Sequence, residues 1–189
     1  MLVHRFTVVF ALLALSAAAT ASAQPFTVGD LVSLDRLSEV AASPDGKRVA
    51  YTLRSTDMEA DKARTGIWLA ESARRGRAET RLTDIAANAS SPEWSADGRH
   101  IYFLSDRSGS TQVWRVAAGG APGNAGAAGS DALQVTNLPL DVGSFRVSPK
   151  GDRIAVSVEV YLDCADLACS KQRLDAAAHA QARGKLYEH

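Results

Sequence analysis

Three stretches of this chain spell the same turn. Ser43-Pro44-Asp45-Gly46, Ser95-Ala96-Asp97-Gly98 and Ser148-Pro149-Lys150-Gly151 place Gly46, Gly98 and Gly151 52 and then 53 residues apart. Each turn is followed by two polar residues and then an apolar run: Val49–Leu53, Ile101–Leu104 and Ile154–Val158. Proline presets φ at the second turn position, Asp or Lys tolerates the third, and glycine accepts the positive φ that closes the turn. A type I turn ended by a glycine bulge joins two antiparallel strands whose twist matches. The sequence therefore predicts a hairpin in each unit, with a short strand before the turn (Pro92–Trp94, Phe145–Val147) and a buried one after it.

Two further strands are predicted in each of the first two units. Ile67-Trp68-Leu69-Ala70 matches Val113-Trp114-Arg115-Val116, with tryptophan second in both. Thr80–Asp84 matches Leu133–Asn137, each closing on Thr followed by Asp or Asn. Four short strands per period of this length make one blade of a β-propeller. The tryptophans are read as blade-to-blade packing rather than ligand stacking. The repeats span about 37–84, 90–137 and 143–189. The expected fold class is all-β, an incomplete propeller of two full blades and part of a third.

The third unit leaves the pattern after Val158. It runs through Cys164 and Cys169 into Lys171–Arg183, which reads as a helix capped by Gly184 and inserted between the second and third strands. Gly119–Ser130 reads as a flexible loop, too poor in apolar bulk to pack. Propellers close with about four to eight blades, so a chain stopping in the third unit is expected to be a fragment or a truncated product.

His4 and Arg5 precede an apolar run from Phe6 to Leu15, then small residues ending in Ala21-Ser22-Ala23. That order predicts an export signal peptide over 1–23, cut after Ala23, and a periplasmic or secreted mature protein with no membrane anchor. The apolar run is shorter than the roughly 20 residues that span a bilayer. Removing the leader leaves 20 basic residues (21 less Arg5) against 21 acidic ones. Such a balance provides no field to attract nucleic acid. An apolar fraction of 46% argues against general disorder.

In an exported protein, two thiols as close as Cys164 and Cys169 are read as a structural disulfide. A loop of this size would restrain the unfolded chain by roughly 2 kcal/mol. The rival reading, half a metal site, lacks the C-x2-C spacing and a following His pair. Neither a cofactor nor a metal is implied. Arg74, Arg75 and Arg77 read as a solvated hairpin tip, and Gly119, Gly120 and Gly123 lack the strand-to-helix context of a phosphate cradle.

The opening Phe26–Leu31, the turn Ser43–Tyr51, the loop Ser105-Asp106-Arg107-Ser108-Gly109 and the Cys164–Cys169 stretch resemble the N-terminal propeller region of exported bacterial prolyl oligopeptidase-family serine peptidases, of the dipeptidyl aminopeptidase and acylaminoacyl peptidase type. The resemblance covers essentially all of the chain after the leader, although TolB-type periplasmic propellers share the turn repeats. It implies a C-terminal α/β-hydrolase domain as partner, peptides as substrates, and a propeller that gates access to the serine. In that family the serine stands on a G-x-S-x-G elbow beside backbone oxyanion donors. No G-x-S-x-G occurs in these 189 residues, and His4, His100, His179 and His189 have no evident serine partner. No catalytic residue is assigned. Glu59, Asp61, Asp106 and Glu159 are acids with no spacing that marks a substrate-amine site. Asp106 is expected to order its own loop. The alternative function is a non-enzymatic propeller of the TolB type that binds a protein partner.

Overall fold

The computed structural model describes residues 25–72, 79–119 and 132–179. The leader with its cut after Ala23, the Arg74–Arg77 cluster, nearly all of the glycine-rich loop and Gly184 lie outside these residues. The chain divides into two compact units, 1–32 and 33–189. Helix α1 (Val28–Ser33) begins in the first. Its start is a reciprocal cap: the Thr27 amide donates to Asp30 Oδ2 at 2.8 Å, and the Asp30 amide donates to Thr27 Oγ1 at 3.2 Å.

The second unit is three antiparallel sheets. The first runs β1 (Arg36–Ala42), β2 (Arg48–Asp57), β3 (Lys62–Glu71) and β4 (Thr80–Arg81), in that spatial order. The second repeats it with β5 (Ala89–Trp94), β6 (His100–Ser105), β7 (Gln112–Ala117) and β8 (Leu133–Gln134). The third pairs β9 (Val142–Val147) with β10 (Ile154–Val158), and helix α2 (Leu167–His179) follows.

Each predicted turn is held by one network. The Gly46, Gly98 and Gly151 amides donate to the carbonyls of Ser43, Ser95 and Ser148. The glycines stand at φ of 69°, 68° and 71°, a region that costs any residue with a Cβ. The serine hydroxyl closes the far side, accepting the amide of Arg48, His100 or Arg153. It donates in turn to a carboxylate: Asp45, Asp97 and, in the third turn where Lys150 replaces the aspartate, Asp152. The hydrogen bonds from Ser43 and Ser95 hold the Asp45 and Asp97 carboxyls below the usual carboxylate range.

The fourth strands are shorter than predicted. Regular register ends at Arg81 and Gln134; the Leu82 and Val135 amides still donate to the Ile67 and Val113 carbonyls, and threonine side chains then take over the ladder. Thr83 Oγ1 accepts the Ile67 amide at 3.0 Å, and Thr136 Oγ1 accepts the Val113 amide at 2.9 Å. Helix α2 also begins earlier than Lys171, at Leu167, because Asp166 Oδ1 caps it by accepting the Cys169 amide at 2.8 Å. Cys164 and Cys169 are joined as a disulfide.

The sheets meet face to face through two apolar layers. Ala50, Ile67 and Leu82 of the first sheet meet Trp94, Ile101, Phe103 and Val116 of the second. The reverse face of the second sheet gives Tyr102, Leu104 and Val113 to Val142 and Phe145 of the third. Strand alternation explains the division: Ile101 and Phe103 point one way, Tyr102 and Leu104 the other. Phe103, Ile67 and Ile101 are fully buried. Burying such side chains stabilises the fold by about 1.5–3 kcal/mol each.

Candidate functional site

The chemistry-bearing side chains gather along the seams between sheets. Strands β1 and β5 each carry a bulge, between Ser38 and Ala41 and between Ser90 and Glu93. The bulges put Glu39 and Ser91 at φ of 50° and 55°. There the Glu39 carboxylate crosses to the next sheet. Its Oε2 accepts the Ser91 amide at 2.8 Å and the Thr52 hydroxyl at 2.7 Å, and Oε1 accepts the Ser91 hydroxyl at 3.1 Å. Partial burial alone would raise this carboxyl. The three hydrogen bonds outweigh it and hold Glu39 below its ordinary value. The second seam uses Glu93, whose Oε1 accepts the Val147 amide at 3.0 Å.

Arg48 fastens the first seam from another side. Its guanidinium donates to the Ala118 carbonyl at 2.8 Å and the Gly98 carbonyl at 2.9 Å, and lies 4.9 Å from the Trp94 ring centre. The Trp94 indole donates to the Ala41 carbonyl at 2.9 Å. Sequence reasoning assigned blade packing to Trp68 and Trp114. Trp114 packs against the first core layer, and Trp94 performs both packing and hydrogen bonding across the seam.

Asp106 accepts the Asn88 backbone amide at 3.0 Å and its side-chain amide at 3.1 Å, while its carbonyl closes the turn to Gly109. Asn88 Oδ1 then accepts the Thr65 amide from the first sheet at 3.2 Å. Asp106 thus orders its loop and also links the two sheets through Asn88. Beside it, the Arg107 guanidinium lies over the cross-strand pair Phe103 and Trp114, 5.4 Å and 5.0 Å from their ring centres. Burial pushes the Arg107 guanidinium down, and the Asp84 and Asp106 carboxylates oppose that shift. Asp84, Ala86, Ala87, Asp106, Arg107 and Gly109 line an open hollow of about 510 Å³.

The other acids considered from sequence are not brought together. Glu59 and Asp61 stand exposed in the β2–β3 turn, and Glu159 is exposed after β10. His100 opens β6 and His179 ends α2, where its Nδ1 lies against the Asp175 carbonyl. Ser43, Ser95 and Ser148 serve as turn closers. What this arrangement provides is a wall of sheets fastened by carboxylates and guanidinia; among the described residues no nucleophile stands poised beside a base.

Two stacked four-stranded antiparallel sheets with a third begun alongside are blades of a β-propeller. The comparisons carry this further. The chain is 29% identical over 140 residues to the uncharacterized peptidase YuxL of Bacillus subtilis, covering 71% of this chain and 19% of that protein. It is 34% identical over 96 residues to dipeptidyl-peptidase 5 of Porphyromonas gingivalis, covering 51% of this chain and 14% of that protein. Among solved structures, the acylaminoacyl peptidase of Pyrococcus horikoshii superposes with a TM-score of 0.51 at 19% identity, over 72% of this chain and 19% of that one. No protein-family model matches. The chain is a propeller region similar in sequence to peptidases, and it spans about a fifth or less of the length of these proteins.

Proposed function

We propose that this chain is the substrate-gating propeller of an exported serine peptidase of the prolyl oligopeptidase family, acting with an α/β-hydrolase domain on short peptides. The observation that carries the reading is the repeated blade, fastened at each seam, in a chain whose sequence relatives include several peptidases. The division of labour follows from the residues. Acyl transfer through serine needs a nucleophile, a base and oxyanion donors within hydrogen-bond reach of one another. The seams described above offer carboxylates and guanidinia already committed to structure. Their contribution is exclusion: a stiff wall admits peptides by size and keeps folded protein away from the reacting centre.

The test uses the protein translated from the whole reading frame that contains these residues. A fluorophosphonate probe, which labels activated serines, is applied and the labelled peptide is mapped. The reading predicts one labelled serine in a G-x-S-x-G outside residues 1–189. A protein that takes no label, or that instead captures a protein partner without hydrolysing peptides, would support the non-enzymatic TolB-type reading.

A further inference from the structure

The segment from Tyr161 to His179 is held differently from the sheets. The disulfide joins Cys164, before α2, to Cys169 in its first turn. The hydroxyl of Ser170, the one buried side chain among the described residues of α2, accepts the Tyr161 amide at 3.1 Å. Arg173 pairs with Asp163 and lies 4.3 Å from the Tyr161 ring centre. These ties of the first two turns all run to the six residues 161–166. Among the described residues, α2 makes no more than marginal contact with any strand.

A 13-residue helix without an apolar face docked on a core is marginal in water. Among the described residues its order rests on local restraints, and the covalent one joins positions five residues apart. Both cysteines are half-buried, so a small thiol can reach them.

We propose that the Cys164–Cys169 bridge is a thiol-responsive lock on α2. A dithiol reductant delivers two electrons and two protons to the bridge. The S–S bond breaks, both sulfurs become thiols, and the reductant leaves as its own disulfide. The staple is then lost at the helix start, α2 unwinds, and the sheets keep their structure because none of their seams depends on it. The lock is independent of the peptidase reading.

Hydrogen exchange read by mass spectrometry tests the lock on the full chain, with and without dithiothreitol, a gain of two mass units verifying that the bridge has opened. Amides of residues 169–179 should exchange about tenfold faster or more after reduction, while those of 100–117 keep their rate. The double variant Cys164→Ser, Cys169→Ser should show the fast helix without reductant and no response to it. The proposal is overturned if the bridge resists dithiothreitol, if the helix stays equally protected once reduced, or if 100–117 loses protection in parallel. Should the double variant not fold, reduction of the native protein alone decides.

Discussion

The Glu39 carboxylate accepts the backbone amide of Ser91, 52 positions further along, at the corresponding bulge of the next sheet. Both residues hold a left-handed backbone, and the strain of two such residues is of order 1–3 kcal/mol each. The contact they make is what keeps them there. Removing the charge in Glu39→Gln leaves weaker acceptors at Ser91 and Thr52. After allowance for solvent screening, a loss of about 1 kcal/mol is expected, read from the urea midpoint.

The same carboxylate gives a pH dependence of known sign. The folded value of Glu39 lies below its ordinary 4.5, so the unfolded state binds its proton first. Its stabilisation is complete above the ordinary value and is lost as pH falls through the folded one. Wild type and Glu39→Gln should therefore differ most near neutrality and converge as pH falls through the lowered folded value of Glu39. A difference that stays constant with pH would mean that the charge has no part in the seam.

Arg48 is the second fastening. Arg48→Ala removes two charge-assisted hydrogen bonds to carbonyls and the contact with the Trp94 ring. A loss of about 2–3 kcal/mol is expected in equilibrium unfolding. Arg48→Lys should recover only part of it, because an ammonium cannot span both carbonyls and also lie flat on the indole.

The turns give a pair of contrasting outcomes. At Gly46 an added Cβ would meet nothing within 4 Å. Gly46→Ala should therefore cost only the left-handed backbone, about 1 kcal/mol. Ser95→Ala should cost more, about 1–2 kcal/mol, because it leaves the part-buried His100 amide without its acceptor, the buried Ser95 hydroxyl. Thermal melts of the two variants rank them.

Phe103 lies between the sheets with no exposed surface. Phe103→Ala should cost about 3–5 kcal/mol, enough to unfold a marginal domain. Val156, which follows Phe103 by 53 residues, is 37% exposed, and Val156→Ala should cost well under half as much.

The hairpins were legible because proline, aspartate and glycine act through local backbone chemistry, which needs no knowledge of the tertiary fold. The repeat then supplied the sheets. The shortened fourth strands were misread because Thr83 and Thr136 look like β-branched strand residues. Their hydroxyls replace ladder bonds only once the neighbouring strand is in place. The early start of α2 has a readable signal, an aspartate, Asp166, three residues before the Cys169 amide that it caps. The seam residues Glu39, Arg48 and Glu93 were missed altogether. Their partners across the seams lie 50 or more residues away, and only the stacking of one sheet on the next brings them together.

The most direct test of a gating propeller is the dependence of cleavage on peptide length. The protein from the full reading frame would be given a dipeptide substrate and the same cleavage site within a peptide of about 30 residues, a length that outgrows a buried chamber. The account predicts a kcat/KM for the short substrate at least about a hundredfold higher, and a narrower gap when Arg48→Ala loosens the first seam. Equal cleavage of both substrates, unaffected by Arg48→Ala, would contradict it.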